Sequence, residues 1–272
     1  MIFATYWFVI FVAVALPVYW SLPRPRLRLW FLLGACLVFH QHFAGPAGML
    51  PIIGLAVATY GLARVATPFA RGAGILLCVV ALAFYKYSGF IWANLSGFVD
   101  TTSAQQLTGR WIPAQPPLAI SFFTFEFVHY LTEVQRGRPP IRKVLDFSLF
   151  TVFFPSLVAG PIKRYEPFLA SLRRDVPRVT IDDVAAGLVR VATGYVKKVV
   201  IADNLTPLID YWVPRMAELG LASRWGIVTA IAFRILMDFS GYSDIAIGLA
   251  RMLGIRLPEN FEIEAAFPRG VP

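Results

Sequence analysis

The first 22 residues contain no charged side chain, and this feature constrains the fold more than any other. An apolar segment of this length can cross the roughly 30 Å hydrocarbon layer of a bilayer as one helix. It has no basic start and no small-residue cleavage site before Arg24, so we interpret it as a retained span and not as a secretory signal. Charged residues make up 15% of the chain, against about a quarter in a soluble domain. The sequence therefore predicts an integral membrane protein.

Five apolar segments are predicted to span the membrane, four of them within residues 1–92. They cover residues 3–22, 29–43, 49–63, 74–90 and 118–134. A charge-free turn at 44–48 separates the second from the third, and a polar loop at 96–117 precedes the fifth.

Basic residues are concentrated in short connectors. The formal charge is +9, and clusters near Arg24, Arg64 and Arg138 account for much of it. Positive connectors lie on the cytoplasmic side of a membrane, so we place these three inside and the N-terminus outside. This distribution argues against nucleic-acid binding. Cys36 and Cys78 lie in apolar segments and are predicted to be core residues.

The apolar segment 144–162 is not predicted to cross the membrane as one continuous helix. Pro155, Gly160 and Pro161 interrupt it, and basic residues flank both ends. Positive charge on both sides favours a re-entrant segment. Irregular backbone is tolerated at membrane depth only when it is buried in protein or lines a wet cavity. We therefore expect this segment to be close to the functional site.

Two further helices are predicted. Thr180, followed by two acidic residues, indicates a helix start, and that helix extends to Ala202 in the cytoplasmic interface. The apolar stretch 225–253 carries Arg234, Asp238 and Asp244, and intramembrane charges indicate function by default. The fold class is thus all-α: a polytopic transmembrane helix bundle with a re-entrant segment, forming a single membrane domain over residues 1–272.

Glu126, His129 and Glu133 are spaced to share one helix face in the fifth span. Two carboxylates and an imidazole can bind a metal or pass a proton. They can equally line a polar cavity or form structural pairs, and the sequence leaves these alternatives open.

The last apolar stretch offers a second group of candidates. Arg234 and Asp238 are four residues apart and are predicted to pair, either as a structural ion pair or as part of a site. Ser240, Tyr242 and Asp244 add hydroxyls and a carboxylate, while Gly241 and Gly248 provide a strip for close helix packing.

Three stretches resemble the membrane-bound O-acyltransferases, most closely the branch of bacterial alginate O-acetylases and teichoic-acid D-alanyl transfer proteins. They are ISFFTFE at 120–126, FFPSLVAGPIKRY at 153–165, and DFSGYSDIAIGLARMLG at 238–254 followed by PENF at 258–261. Together they define a family signature region over residues 118–261, in the order that the family shows.

The resemblance implies a helix bundle around a funnel in a bacterial inner membrane. It implies a cytoplasmic acyl thioester as substrate, from acyl-CoA or acyl carrier protein, with no bound cofactor and no metal. The acceptor would be an exported polysaccharide, handled with an extracytoplasmic polysaccharide-modifying partner. Residues expected to line the funnel are Glu126, His129, Lys163, Arg164, Asp238, Ser240, Tyr242, Asp244 and Asn260.

The sequence departs from the family pattern after Asn260. There the family continues into a Trp-Arg-Arg-Trp-His type motif and, further on, a buried catalytic histidine, whereas this chain reads EIEAAFPRGVP at 262–272. Neither family histidine matches His40, His42 or His129. We therefore expect an N-terminal part of a longer enzyme that is inactive alone, and assign no catalytic residue.

Two other functions remain as alternatives. The first is D-alanyl transfer to a cell-envelope polymer, which uses the same family fold. The second is a transporter-like or scaffold protein. A transporter is expected to show broken helices in related halves, and no internal repeat is visible in the sequence.

Overall fold

The structure is a computed structural model that describes residues 2–95, 115–158, 160–172 and 179–260. All regular secondary structure in these residues is helical, and the residues contain no strands. The α-helices are α1 (Tyr6–Ser21), α2 (Pro25–Arg64), α3 (Pro68–Leu82), α4 (Ser88–Leu95), α5 (Ile120–Gln135), α6 (Val144–Val152), α7 (Tyr165–Leu172), α8 (Ile181–Tyr195), α9 (Asp203–Trp212) and α10 (Leu221–Met252). The all-α prediction is confirmed.

The chain forms two compact units. The internal unit is Leu29–Val158, and the terminal unit combines Met1–Arg28 with Ala159–Pro272. The predicted loop at 96–117 and the chain after Asn260 fall largely or wholly outside the described residues.

Among the described residues, two helical segments are long and apolar enough to cross a membrane: Pro25–Arg64 and Pro68–Ile91. The second joins α3 to α4 through a π-helical turn, Ala83–Tyr87, and contains the predicted fourth span. α1 and the segment Val144–Ser156 are apolar but shorter. α1 starts at Tyr6 because the Thr5 hydroxyl accepts a hydrogen bond from the Phe8 amide at 3.2 Å, an N-cap.

The predicted turn at 44–48 is present inside α2 as a kink. Gly45 has φ 64° and ψ 175°, so the backbone leaves the helical conformation there. A positive φ costs little at glycine because it has no Cβ. The second and third predicted spans therefore lie on either side of Gly45.

Aromatic side chains form much of the core of the internal unit. The Tyr130 ring of α5 lies 5.6 Å from the Phe147 ring of α6, and the Phe127 ring lies 6.4 Å from it. Cys36 is fully buried and accepts the Phe154 amide at 3.4 Å. Both cysteines are free and buried, which confirms that they are core residues.

The predicted break in the segment 144–162 is confirmed. α6 has nine residues and ends at Val152, and a 3₁₀ turn, Phe154–Ser156, follows. Phe153 is non-helical with ψ 104°, two residues before Pro155, whose ring would clash with an α-helical backbone. Nine residues rise only about 14 Å, too short to cross a bilayer. That the segment enters and leaves on one side stays a prediction.

The terminal unit is built around α8 and α10. The Thr180 start is confirmed as a capping box, in which Thr180 and Asp183 each bond the other's backbone amide. The helical path continues through a π-helical stretch, Val196–Ala202, into α9, and therefore extends past the predicted end at Ala202. A 3₁₀ segment, Val213–Glu218, leads to α10, which contains all but the last residue of the predicted apolar stretch 225–253.

Candidate functional site

A cationic cavity of about 150 Å³ lies in the terminal unit. One wall comes from the residues that precede and begin α7, and the other from the residues that follow α10. The lining residues are Lys163, Arg164, Pro167, Phe168, Arg256, Leu257 and Pro258. The structure thus brings the end of FFPSLVAGPIKRY against the stretch that joins DFSGYSDIAIGLARMLG to PENF, a contact that the sequence separation conceals.

Lys163 is the most deeply buried charge of this cavity, with 2% of its surface exposed. Its ammonium lies 5.9 Å from the Phe168 ring centroid, within the range of a cation–π contact. Arg164 and Arg256 are exposed. The lining includes no carboxylate among the described residues, so the cavity favours an anion.

The wall that carries Arg256 is held at both ends. Gly254 has φ 77°, and the Ile255 amide donates to the Ala250 carbonyl at 2.8 Å, which closes the end of α10. Beyond Arg256, the Glu259 carboxylate accepts two hydrogen bonds from Arg190, and the Asn260 amide donates to the Ser243 hydroxyl at 2.9 Å. Arg256 therefore projects from an anchored segment.

Asp244 on α10 lies at the centre of an ion-pair network with α8 and the π-helical stretch that follows it. It accepts from Arg190 Nε at 3.1 Å and from Lys197 Nζ at 2.5 Å. The hydrogen bond to Glu259 is the main reason why the Arg190 pKa is raised above its ordinary value. Arg190, Lys197 and Glu259 were not predicted as site residues. The seven-residue spacing of Arg190 and Lys197, which places both on one face of a helix, was the available signal.

The predicted pairing of Asp238 with Arg234 is wrong. Asp238 pairs with Lys198 at 2.7 Å, and Lys198 also pairs with Asp203 at 2.6 Å. The close approach of α10 to the π-helical stretch after α8, which carries Lys198, explains the difference: an added Cβ at Gly241 would lie 3.2 Å from Lys198 Cβ. The described residues include no ion pair of Arg234.

The two remaining predicted site residues on α10 are Ser240 and Tyr242. The Ser240 hydroxyl is buried and has no hydrogen-bond partner among the described residues. The Tyr242 ring lies 5.2 Å from the ring of Phe3, in the segment before α1. Asp238, Asp244 and Asn260 are engaged in the contacts given above, so they hold the walls of the terminal unit together.

Glu126 and His129 belong to the internal unit, on α5. Glu126 is buried and His129 is partly exposed. Glu133 forms ion pairs with Arg136 at 3.1 Å and Arg138 at 3.9 Å, and so extends toward the basic connector. Within the described ranges no three His, Cys, Asp or Glu side chains are grouped as a metal site requires.

His40 is a buried polar residue that the sequence did not single out. It is fully buried in α2, its ring stacks on Phe123 at 5.6 Å, and neither ring nitrogen has a hydrogen-bond partner among the described residues. The hydrophobic sequence around it gives no signal of this burial beyond its place in a predicted span.

Comparison with known proteins identifies the class. The model of MBOAT, the membrane-bound O-acyltransferase family, matches residues 72–269. The chain belongs to the membrane-bound O-acyltransferase family.

Individual relatives agree with this family. The chain is 32% identical to the probable alginate O-acetylase AlgI of Pseudomonas aeruginosa over 93% of this chain and 50% of that protein. It is 29% identical to the peptidoglycan O-acetyltransferase of Helicobacter pylori over 69% of this chain and 40% of that protein. It is 30% identical to the teichoic acid D-alanyltransferase of Lacticaseibacillus rhamnosus over 53% of this chain and 38% of that protein. The chain spans about half the length of the curated alginate O-acetylase that it matches.

Proposed function

We propose that the protein transfers an acetyl group from a cytoplasmic thioester to hydroxyl groups of an exported polysaccharide. The observation that supports this proposal is the meeting of two family signature stretches at one cationic cavity, within a region that the family model matches. A cavity of that charge suits the anionic carriers on which cells load acyl groups.

In the proposed reaction, the acyl group moves from a thioester to a hydroxyl group. The acceptor hydroxyl oxygen attacks the thioester carbonyl carbon, the C–S bond breaks, and an oxygen ester forms. The hydroxyl proton passes to a general base, and the thiolate leaves and is protonated. The residues described above bind and position; the resemblance assigns the base to a buried histidine of a motif that His40, His42 and His129 do not match.

The proposed function also implies where the protein is located in the cell. The protein would be a multi-pass component of a bacterial inner membrane, with the basic connectors on the cytoplasmic side. A donor made in the cytoplasm then reaches the cavity from inside, and an extracytoplasmic partner delivers or modifies the polymer. Two of the relatives favour alginate-like or peptidoglycan acceptors, since alginate and peptidoglycan stand in their names.

D-alanyl transfer is the second candidate function. It is favoured by the similarity to a teichoic acid D-alanyltransferase, although that similarity covers a smaller part of the chain. The chemistry differs only in the acyl group, which is D-alanyl and not acetyl.

Disruption of the gene tests the proposal. Acetate and D-alanine that mild alkali releases from esters on the exported polymers are measured in the parent strain, the disrupted strain and the complemented strain. Loss of acetate that complementation restores supports acetyl transfer. Loss of D-alanine with acetate unchanged would establish the second candidate, and unchanged amounts of both would favour the transporter-like or scaffold alternative.

A further inference from the structure

We propose that the basic end of the internal unit binds the phosphate headgroup of an anionic phospholipid such as phosphatidylglycerol. The basic end is defined by six cationic side chains at the ends of α2 and α5, the start of α3 and the connector from α5 to α6. They are Arg64, Arg71, Arg136, Arg138, Arg142 and Lys143. The inference concerns this surface alone and does not depend on the proposed acyl transfer.

The packing of three helices gathers these cations at one end of the unit. A Cβ added at Gly74 of α3 would lie 2.9 Å from Leu131 Cδ1 of α5 and 3.3 Å from Leu62 Cδ1 of α2. α2 and α5 both end within about one turn of these leucines, and α3 begins less than two turns before Gly74. The end of α2, the start of α3 and the end of α5 therefore lie side by side, with the cations that they carry.

Two tyrosines tie the connector from α5 to α6 to this end. The Tyr130 hydroxyl accepts a hydrogen bond from the Ile141 amide at 3.0 Å, and the Tyr60 hydroxyl donates one to the Arg142 carbonyl at 2.6 Å. Arg64 Nη1 donates to the same Tyr60 hydroxyl at 3.3 Å. The Arg64 guanidinium therefore lies beside an anchored backbone, and a charge held in place before binding loses less conformational freedom when the ligand arrives.

The positive charge of this end is only partly neutralised within the protein. The carboxylates that flank the connector in the sequence are Glu133, which pairs with the first two cations of the connector, and Asp146, which is buried. Arg64, Arg142 and Lys143 are exposed and form no ion pair within the described ranges. Arginine binds phosphate oxygens through paired N–H groups and lysine binds them as a point charge, so the set suits a phosphate.

The helix ends place these charges at the depth of lipid headgroups. Arg64 ends the apolar segment Pro25–Arg64, and Arg71 lies in the first turn of the apolar segment Pro68–Ile91, which are both long enough to cross a membrane. Arg71 Nε is buried and has no hydrogen-bond partner in the part of the chain that the structure describes, so it can donate to a phosphate oxygen. The positive-inside rule predicts that this end is cytoplasmic, where clusters of about four to eight basic residues bind anionic lipids.

Apolar side chains next to the cations favour a lipid over a soluble anion. Val65, Phe69 and Val144 are 45%, 86% and 64% exposed, and each lies within two residues of a cation of the basic end. A phospholipid offers its phosphate to the cations and its acyl chains to these apolar side chains at the same time. A free phosphate or an acidic protein would interact with the charges and leave the apolar side chains in water.

A lipid titration tests the inference. The full-length protein is purified in dodecyl maltoside, and microscale thermophoresis measures the Kd of phosphatidylglycerol and of phosphatidylcholine with the same acyl chains. We expect phosphatidylglycerol to bind about tenfold or more tightly, because each cation close to an anionic headgroup adds to the affinity. Increasing salt should reduce this ratio.

Three variants and a matched control locate the site. Arg64→Gln and Arg142→Gln should each reduce the preference for phosphatidylglycerol several-fold. Tyr60→Phe keeps every charge but removes the hydroxyl that joins Arg64 to the Arg142 backbone, so it should also reduce the preference. Arg26→Gln is the control, because it removes an exposed arginine from a different connector that is also predicted to be cytoplasmic, and it should keep the preference.

Four results would overturn the inference. The first is equal affinity of the native protein for the two lipids. The second is a preference that Arg64→Gln and Arg142→Gln leave unchanged. The third is an equal loss in Arg26→Gln and Arg64→Gln, which would show a diffuse attraction and not a site. The fourth is binding of poly-L-glutamate that requires Arg64, without any lipid preference, which would assign the basic end to an acidic protein.

Discussion

Gly194 and Gly241 bring the backbones of α8 and α10 into direct contact. A Cβ added at Gly194 would lie 2.6 Å from the Gly241 carbonyl oxygen, and one added at Gly241 would lie 2.8 Å from the Gly194 carbonyl oxygen. Gly187 and Gly248 repeat this relationship seven residues away on each helix, with distances of 2.8 and 2.6 Å. This approach places Lys198 beside Asp238 and Arg190 beside Asp244.

Gly194→Ala is therefore expected to destabilise the protein. The new methyl group meets backbone atoms that cannot rotate away, so the helices must separate, at a cost of about 1–3 kcal/mol. Thermal unfolding in detergent measures the change. Gly226→Ala on α10 is the control, because nothing lies within 4 Å of its Cβ position and alanine favours a helix by about 0.5–1 kcal/mol over glycine. Equal Tm values for the two variants would contradict the packing account.

The ion pair of Lys198 and Asp238 yields a second prediction. Asp238→Ala should lower the free energy of unfolding by about 1–2 kcal/mol in the native background and by much less in a Lys198→Met background, because contacting residues couple by about 0.5–3 kcal/mol. A double-mutant cycle measured by chemical unfolding gives the coupling. The same cycle with Arg234→Ala should show additive effects; strong coupling of Asp238 to Arg234 would restore the pairing that the sequence suggested.

Asp183 yields a prediction of pH dependence. Hydrogen bonds from the Thr180 backbone and side chain, followed by the hydrogen bond from Arg251, lower the pKa of Asp183 below its ordinary 3.8. A lowered folded pKa means that the carboxylate contributes stability above the ordinary value and loses it as the pH falls through the folded pKa. The Tm difference between native protein and Asp183→Asn should be constant from pH 7 to 5 and shrink below pH 4. A difference that stays constant to pH 3 would show that the charge of Asp183 is unimportant.

Membrane topology gives a fourth prediction. In a background without Cys36 and Cys78, single cysteines at Ser103, Arg138 and Arg173 should react with impermeant reagents from outside, inside and inside, respectively. Reaction at 138 and 173 from opposite sides would show that the segment 144–162 crosses the membrane. Reaction at 103 from inside would reverse the assigned orientation.

Local features were predictable from the sequence because they depend on neighbouring residues. Thr180 and Asp183 are three residues apart, so the capping box could be read directly, and Gly45 stood in a turn that the sequence already indicated. The glycine strip at Gly241 and Gly248 was also predicted, since its spacing is that of one helix face.

The ion-pair partners that lie on different helices could not be predicted from the sequence in this way. Lys198 and Asp238 are 40 positions apart, and their pairing depends on how closely and in which register α8 meets α10. Arg234, four residues from Asp238 on the same helix, was the partner that local spacing offered. The cavity depends on a contact between positions near 163 and 256, which only the folded chain reveals.

Transfer of labelled acetyl groups across inside-out membrane vesicles tests the central claim most directly. Acetyl-CoA labelled in the acetyl group is added to the face that was cytoplasmic, and alkali-labile label in the lumenal polymer is counted. Vesicles from cells that carry the intact gene should incorporate label, and Arg256→Gln should raise the KM for acetyl-CoA several-fold with little change in kcat, because binding and not chemistry is weakened. Vesicles that incorporate no alkali-labile acetyl label would contradict acetyl transfer by this protein.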